Sequence, residues 1–513
     1  MNYYLESPEG DQAMIQELIS GFATIMQPEH LFWCVVGITL GTLVGALPGV
    51  GPVTGIAILL PITFGMNPIS ALLLLMGIYQ GSMYGGRISS VLLNVPGDSA
   101  AVVTTFDGYP LTQQGRAGYA LTLSAVASFI GGVIGFIGLV FLAGPITGVA
   151  LKFGAPEYFA LMVFALIATS GLTEKKPFKP IVVMLLGLLI ASVGVDPVAG
   201  TERFTFGVLA LWKGINFVVV AVGLFGLSEV FVRMEERIDL QEVRKKIPFS
   251  DLFPKVSELI KDSWAMIRGS ILGFFIGVLP GAGATIATFL TYDMEKKLSK
   301  EPEKFGKGAS KGLSGPEAAN NATVGGALIP LFSLGIPGSG TTAILLGALM
   351  MLGLQPGPLM FETSGNIIWA AIAGLFLANV LLLILNTAFV PLFAIAVQKA
   401  EPYLGPIIAA FCIIGAYMLN NSLFDVGLMI TFGILGYILR KFGFPLAPLV
   451  LAVILGPILE DNFRQSLMMS GNEISIFYTR PITLTIFIIT LIIVMLPIVR
   501  KLLKMRRRGI SGV

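Results

Sequence analysis

The chain has 513 residues, 55% of them hydrophobic and only 12% charged, with a net charge of +3. A soluble globular domain carries roughly twice that share of charge. The mean hydropathy of +0.85, with apolar runs of about 17–30 residues along most of the length, points to a polytopic helical membrane protein.

Residues 12–27 are amphipathic, and residues 1–86 contain no Lys or Arg. The basic stretch of a secretory signal is missing from the N-terminus. Residues 30–64 form two apolar arms around Pro48-Gly49, within GALPGVG (45–51). Residues 69–106 hold a helix broken near Asn94-Val95-Pro96-Gly97. Spans follow near 117–146, 156–171, 177–195 and 206–232, then a polar stretch over 233–261. Residues 262–294 repeat the two-arm pattern around Pro280-Gly281, within GVLPGAG (277–283). After a charged loop, 295–313, a second broken helix occupies 314–353 around Gly335-Ile336-Pro337-Gly338. The last spans lie near 366–397, 404–420, 424–439, 444–459 and 481–503. Trp33, Trp212, Trp264 and Trp369 fall near span ends, as interfacial anchors should.

The halves match in order. Pro48 and Pro280 are 232 positions apart, Pro96 and Pro337 are 241 apart, and the loop MEKKLSKEPEKFGKGASK absorbs the difference. An internal duplication is the economical explanation. If each two-arm unit is a re-entrant hairpin, an odd number of spans separates the two, so the second copy enters from the opposite face. With the N-terminus outside, Arg116, Lys175, Lys176, Lys179, the 233–261 and 295–313 segments, Arg440, Lys441 and 500–508 fall inside. Outside loops then keep only Lys152, Arg203, Lys213, Arg464 and Arg480 of 33 basic residues.

The expected fold is therefore an all-α polytopic membrane protein of two inverted repeats. Each repeat has a re-entrant helical hairpin and a Pro-Gly-broken transmembrane helix, giving about 11 spans plus two hairpins. The expected segments are 1–29 (outer or interfacial), 30–232 (first repeat), 233–261 (cytoplasmic linker), 262–503 (second repeat) and 504–513 (basic cytoplasmic tail).

A Pro-Gly break frees backbone groups that hydrocarbon cannot satisfy. A half-helix beginning after the break aims bare amides and its positive dipole end at the gap, which suits a carboxylate. The preceding half-helix offers carbonyls, which suit sodium. Asn94, Pro96, Gly97 and Ser99 at the first break, and Gly335, Pro337, Gly338, Ser339, Thr341 and Thr342 at the second, are candidate substrate contacts. The hairpin tips Pro48, Gly49, Gly51, Pro280, Gly281 and Gly283, with Asp98, are candidate ion contacts. The alternative is a pair of ordinary kinks patched by Ser and Thr.

Arg87, in MYGGRISS, could pair with a substrate carboxylate or with Asp98. Asp98 could cap its half-helix or bind a cation. Glu317, Asn320 and Asn321, in GPEAANNATVGG, lie several turns before the second break, and the two Asn amides could ligate carboxylate or sodium or only pack helices. The pairs Gly85-Gly86 and Gly325-Gly326 suit close helix packing. Asp107-Gly108-Tyr109-Pro110 reads as a turn, and KLLKMRRR as a positive-inside anchor rather than a nucleic-acid patch.

YGGRISSVLLNVPGD, TTFDGYPLTQQGRAGYAL and GPEAANNATVGGALIPLFSLGIPGSGTTAILLGAL resemble the large membrane subunit of tripartite tricarboxylate transporters, the TctA-like family. GALPGVG, GVLPGAG, VGVDPVAGTERFTFG and LGPILEDNFRQSL extend the resemblance from about residue 30 to 470. It implies a bacterial inner-membrane permease, for which the distribution of basic residues puts the N-terminus in the periplasm and the C-terminus in the cytoplasm. The partners would be a small four-span membrane subunit and a periplasmic substrate-binding protein that delivers tricarboxylates such as citrate, or related carboxylates. It also implies import driven by an ion gradient. Sodium is favoured as the coupling ion, since the spans offer few titratable groups and no histidine. Analogy with other paired-hairpin anion transporters adds an elevator-like motion, and a homodimer is compatible.

Two alternatives stand beside this: a carboxylate transporter needing no binding protein, and a channel or scaffold subunit without coupled transport. An intramembrane enzyme is disfavoured, because Asp98 has no second carboxylate or base beside it in the sequence. No cofactor beyond the coupling ion is expected.

Overall fold

The computed structural model describes residues 8–171, 178–196, 199–235, 255–281 and 283–510. Lys175, Lys176 and most of the 233–261 linker lie outside the described residues.

The chain begins with α1 (Pro8–Ile25), α2 (Pro28–Ala46), α3 (Gly51–Leu59), α4 (Pro68–Leu93), α5 (Val102–Gln113) and α6 (Ala117–Ala150). Next come α7 (Ala155–Gly171), α8 (Phe178–Ala191), α9 (Phe217–Ala221), α10 (Ser228–Glu235) and α11 (Val256–Ile260). Then follow α12 (Ser263–Val278), α13 (Gly283–Leu298), α14 (Ser310–Leu334), α15 (Gly340–Met351) and α16 (Met360–Thr363). The last are α17 (Gly365–Ala388), α18 (Val390–Asn420), α19 (Leu423–Lys441), α20 (Ala447–Met469), α21 (Ile476–Thr479) and α22 (Pro481–Ile510). A π turn, Val222–Leu227, joins α9 to α10, and β1 (Gly194–Val195) pairs antiparallel with β2 (Glu202–Arg203). Among the described residues six helical segments are long and apolar enough to cross a membrane. The chain is a multi-pass, all-α membrane protein.

Local sequence sets many of these ends. Pro28 and Pro68 open α2 and α4 at the first helical position, where a missing N–H costs nothing, and the Asn67 side chain accepts the Ile69 amide at 2.9 Å. Asn94 and Gly335 end α4 and α14 in the left-handed conformation, φ 58° and 69°, which Asn and Gly adopt at least cost. Asp107-Gly108-Tyr109-Pro110 lies inside α5 and is not a turn. Its Pro110 falls in a short helix whose ninth residue can lose one backbone bond without ending it. Trp264 is exposed, whereas Trp369 is buried and its carbonyl lies against Gly21 of α1, so Trp369 serves helix packing.

Two compact units are present. The first comprises residues 1–150 and 218–441. In it α2 lies along α4 and α12 along α14. The contact points correspond: a Cβ on Gly37, Gly41 or Gly45 would collide with the carbonyls of Leu74, Ile78 and Ser82. One on Gly269, Gly273 or Gly277 would collide with those of Gly315, Ala319 and Thr323. The first three glycines precede the second three by 232 positions, and the carbonyls differ by 241. A heptad of larger residues would hold these helices 8–10 Å apart; glycine every four residues lets the backbones touch. α6 packs on α14 and α17 on α4, and a tyrosine–asparagine bond, Tyr84 Oη to Asn379 Oδ1 at 2.6 Å, ties α4 to α17.

The second unit comprises residues 151–217 and 442–513. α20 packs on α7 and α8, and α22 on α7. Asp196 accepts both Arg464 terminal nitrogens, at 3.2 and 2.6 Å, and Arg203 bridges to Glu460 at 2.8 Å. Two distant sequence blocks, VGVDPVAGTERFTFG and LGPILEDNFRQSL, thus meet in one ion-pair network. Buried Glu157 accepts Thr483 Oγ1 at 2.8 Å and pairs with Arg480 at 3.0 Å.

Candidate functional site

Each hairpin tip is a pair of left-handed glycines: Gly49 and Gly51 at φ 80° and 63°, Gly281 and Gly283 at φ 78° and 59°. Few side chains besides Asn take those angles cheaply, so the glycines of PGxG answer a backbone requirement. The tip then bonds its neighbouring break. Gly49 N–H donates to the Gly97 carbonyl at 3.0 Å, and Gly281 N–H donates to the Gly338 carbonyl at 3.0 Å. Pro48 and Pro280 hold the turn without an amide of their own. The Pro48 carbonyl accepts Arg233 Nη2 of α10 at 2.7 Å. Glu229 of α10 pairs with Arg233 at 3.0 Å and with Arg440 of α19 at 2.6 Å, so the first tip is fastened to a buried ion-pair chain.

At each break a side chain accepts an amide three residues on, before α5 at the first and at the start of α15 at the second. Asp98 Oδ1 accepts the Ala101 amide at 2.9 Å, three residues on; Ser339 Oγ accepts the Thr342 amide at 3.3 Å, also three residues on. Thr342 Oγ1 returns the bond by accepting the Ser339 amide at 2.8 Å, a capping box. Asp98 therefore closes the turn that leads into α5, and the hydroxyls of Ser339 and Thr342 are engaged with each other. The amides of Gly340 and Thr341, in the first turn of α15, have no intrahelical acceptor available to them. Thr341 is buried beside them.

The two breaks and two tips lie close together. Ser99 shares a 2.8 Å hydrogen bond with Thr285 in the first turn of α13, and Tyr79 of α4 reaches Ser339 and lies near Asp98. α5 packs on α13 and α15 on α3, so each half-helix leans on the opposite hairpin. Asn94 and Ser99 are exposed, whereas Gly335, Pro337 and Gly338 are buried, so the cluster opens at the first break.

Other predicted residues form no hydrogen bond to the breaks among the described residues. Arg87 is fully buried and spends its guanidinium on the carbonyls of Leu121 and Asn386 and on Ser124 Oγ. No ion pair between Arg87 and Asp98 occurs among the described residues. Asn321 Nδ2 donates to the Glu317 carbonyl at 3.1 Å, while the buried Oδ1 atoms of Asn320 and Asn321 have no partner among the described residues. Sequence reasoning missed Tyr79, Thr104, Ser128, Thr285 and Arg233. Tyr79 occupies the position matching Asn320 at the 241-residue spacing, a signal that was legible; the others carry none. Among the described residues no three His, Cys, Asp or Glu gather to hold a metal.

The profile of the "Tripartite tricarboxylate transporter TctA family" matches residues 31–451. The "Uncharacterized 52.8 kDa protein in TAR-I ttuC' 3'region" of Agrobacterium vitis is 42% identical over 490 residues, covering 95% of this chain and 97% of that one. The "Uncharacterized protein in TAR-II ttuC' 3'region" of Agrobacterium vitis is 39% identical over 231 residues, 44% of this chain and 96% of that one. No solved structure matches. On a profile match spanning most of the sequence and a near full-length relative, the chain belongs to the tripartite tricarboxylate transporter TctA family.

Proposed function

We propose that this chain is the permease of a binding-protein-dependent secondary importer that carries tricarboxylates or related carboxylates across the bacterial inner membrane, driven by a sodium gradient. Its partners are a small four-span membrane subunit and a periplasmic binding protein; membership of a tripartite transporter family supports two further components. The carboxylate lies between the two breaks, against the first-turn amides of α15 and α5. The two halves are inverted repeats, and hairpins and half-helices move together against the remaining spans as an elevator.

The observation that carries this reading is the doubled tip-to-break bond, Gly49 to Gly97 and Gly281 to Gly338, at the same 3.0 Å. It joins two re-entrant turns to the two half-helix starts, whose unshared amides form an anion site at membrane depth. The small-residue seams at constant spacing support the duplication.

The test is uptake in liposomes holding the chain and its small subunit, with and without the binding protein. A panel of carboxylates is supplied under an imposed sodium or proton gradient. Accumulation that needs sodium and the binding protein supports the proposal. Accumulation without the binding protein favours a stand-alone transporter, and gradient-independent leakage favours a channel.

A further inference from the structure

Glu317 is a carboxylate 1% exposed on α14, and no Lys, Arg or His forms an ion pair with it among the described residues. Its Oε1 accepts Thr104 Oγ1 from the first turn of α5, and its Oε2 accepts Ser128 Oγ of α6 at 3.4 Å. Asn321 sits one turn further along the same face of α14, with its buried Oδ1 unpartnered. Three helices, α5, α6 and α14, thus bring oxygen atoms into contact with one buried acid, and no basic nitrogen bonds to it among the described residues.

The charged groups acting on Glu317 are Arg87 of α4 and Asp98 at the first break. α6 has no charged residue. Asp107 of α5 is taken up by loop amides at 306, 308 and 309, and Glu295 of α13 by Arg268 of α12. Two acids therefore face one guanidinium, which is itself spent on two carbonyls and a hydroxyl. Glu317 is thus left in the interior with no basic group in contact, and an unpaired buried charge is costly. A hard monovalent cation needs oxygen ligands and a single negative charge to balance it.

We propose that Glu317, with Thr104 and Ser128, holds the coupling cation, and that Thr104 links that cation to the anion site because it lies in the first turn of α5, the half-helix that follows the first break. Cation binding fixes the first turn of α5 and so assembles the first break for substrate. This deepens the importer reading and rests on it. The cation is sodium or a proton, since a carboxylate among hydroxyls accepts either.

The test uses the purified full chain in lipid nanodiscs, so that it does not depend on transport. Thermal stability is followed in sodium chloride against choline chloride, and separately across a pH series. For the wild type, stabilisation by sodium identifies sodium, and stabilisation only as pH falls identifies the proton. Glu317→Gln, isosteric and neutral, is expected to lose the response, and Thr104→Val to weaken it about tenfold in apparent affinity. A wild type that responds to neither cation overturns the proposal, as does a Glu317→Gln protein with an unchanged response. If Glu317→Gln does not fold, an unchanged response in Thr104→Val and Ser128→Ala overturns it. Cation binding that persists in a chain unable to move any carboxylate would leave this site standing and remove the importer reading instead.

Discussion

Gly97 lies against Gly45 so closely that a Cβ on Gly97 would sit 2.1 Å from the Gly45 carbonyl oxygen. The corresponding Gly338 clears the Gly277 carbonyl at 3.0 Å. The same seam is thus tight at the first break and has some slack at the second. Gly97→Ala is expected to destabilise the chain by about 1–3 kcal/mol through overpacking, and Gly338→Ala by less. Unfolding followed by tryptophan fluorescence in detergent measures the order; an equal effect would contradict it.

Asn94 carries a left-handed φ of 58° at the end of α4. Asn94→Gly keeps that conformation and should preserve stability, while Asn94→Ala should cost about 1 kcal/mol. If uptake falls in both variants, the Asn amide itself contacts substrate. If only Asn94→Ala loses uptake, the backbone shape is what matters.

Asp107 reaches from α5 to the loop before α14. Its Oδ1 accepts the amides of Gly306, Gly308 and Ala309 at 2.7–2.9 Å, and its Oδ2 accepts Tyr292 Oη at 3.0 Å. Asp107→Ala should cost about 3 kcal/mol by stranding these donors and uncapping α14, with proteolytic cleavage near residue 306 as the readout. Tyr292→Phe removes one bond and should cost about 1 kcal/mol. Gly312 is bound to the same device, because its Cβ would sit 2.1 Å from Asp107 Oδ2.

Arg233 fastens the first hairpin tip through the Pro48 carbonyl. Arg233→Met keeps the apolar stem but leaves Glu229 to Arg440 alone. We expect slower uptake with the fold retained, and Arg440→Met to weaken the same chain one link further away. Uptake at the wild-type rate in both variants would remove the tip from the transport cycle.

Inverted repeats require the N-terminus and the 295–313 loop to lie on opposite sides of the membrane. Cysteines introduced singly at Ser299 and near residue 14, in a background lacking Cys34 and Cys412, should react with an impermeant reagent from opposite faces of sealed vesicles. Reaction from one face for both would end the inverted arrangement and, with it, the shared anion site.

The sequence by itself determined the class of protein and the places where its helices stop. Hydropathy counts apolar residues along the chain, and Pro, Gly and Asn act on their own backbone, so the tips at Pro48 and Pro280 and the breaks at Asn94 and Gly335 were legible from neighbours alone. The placement of Asp107 in a turn failed, since the packing of α5 on α4 and α14 outweighs local turn preference. Only the tertiary structure decided which polar groups meet. Arg87 turns to the Leu121 and Asn386 carbonyls, Arg233 to Pro48, and Thr104 and Ser128 to Glu317. These partners are separated by 34 to 299 positions, and a serine or threonine carries no mark of the helix it will face. Backbone geometry is written locally, whereas charge balance in the interior belongs to the folded assembly of helices.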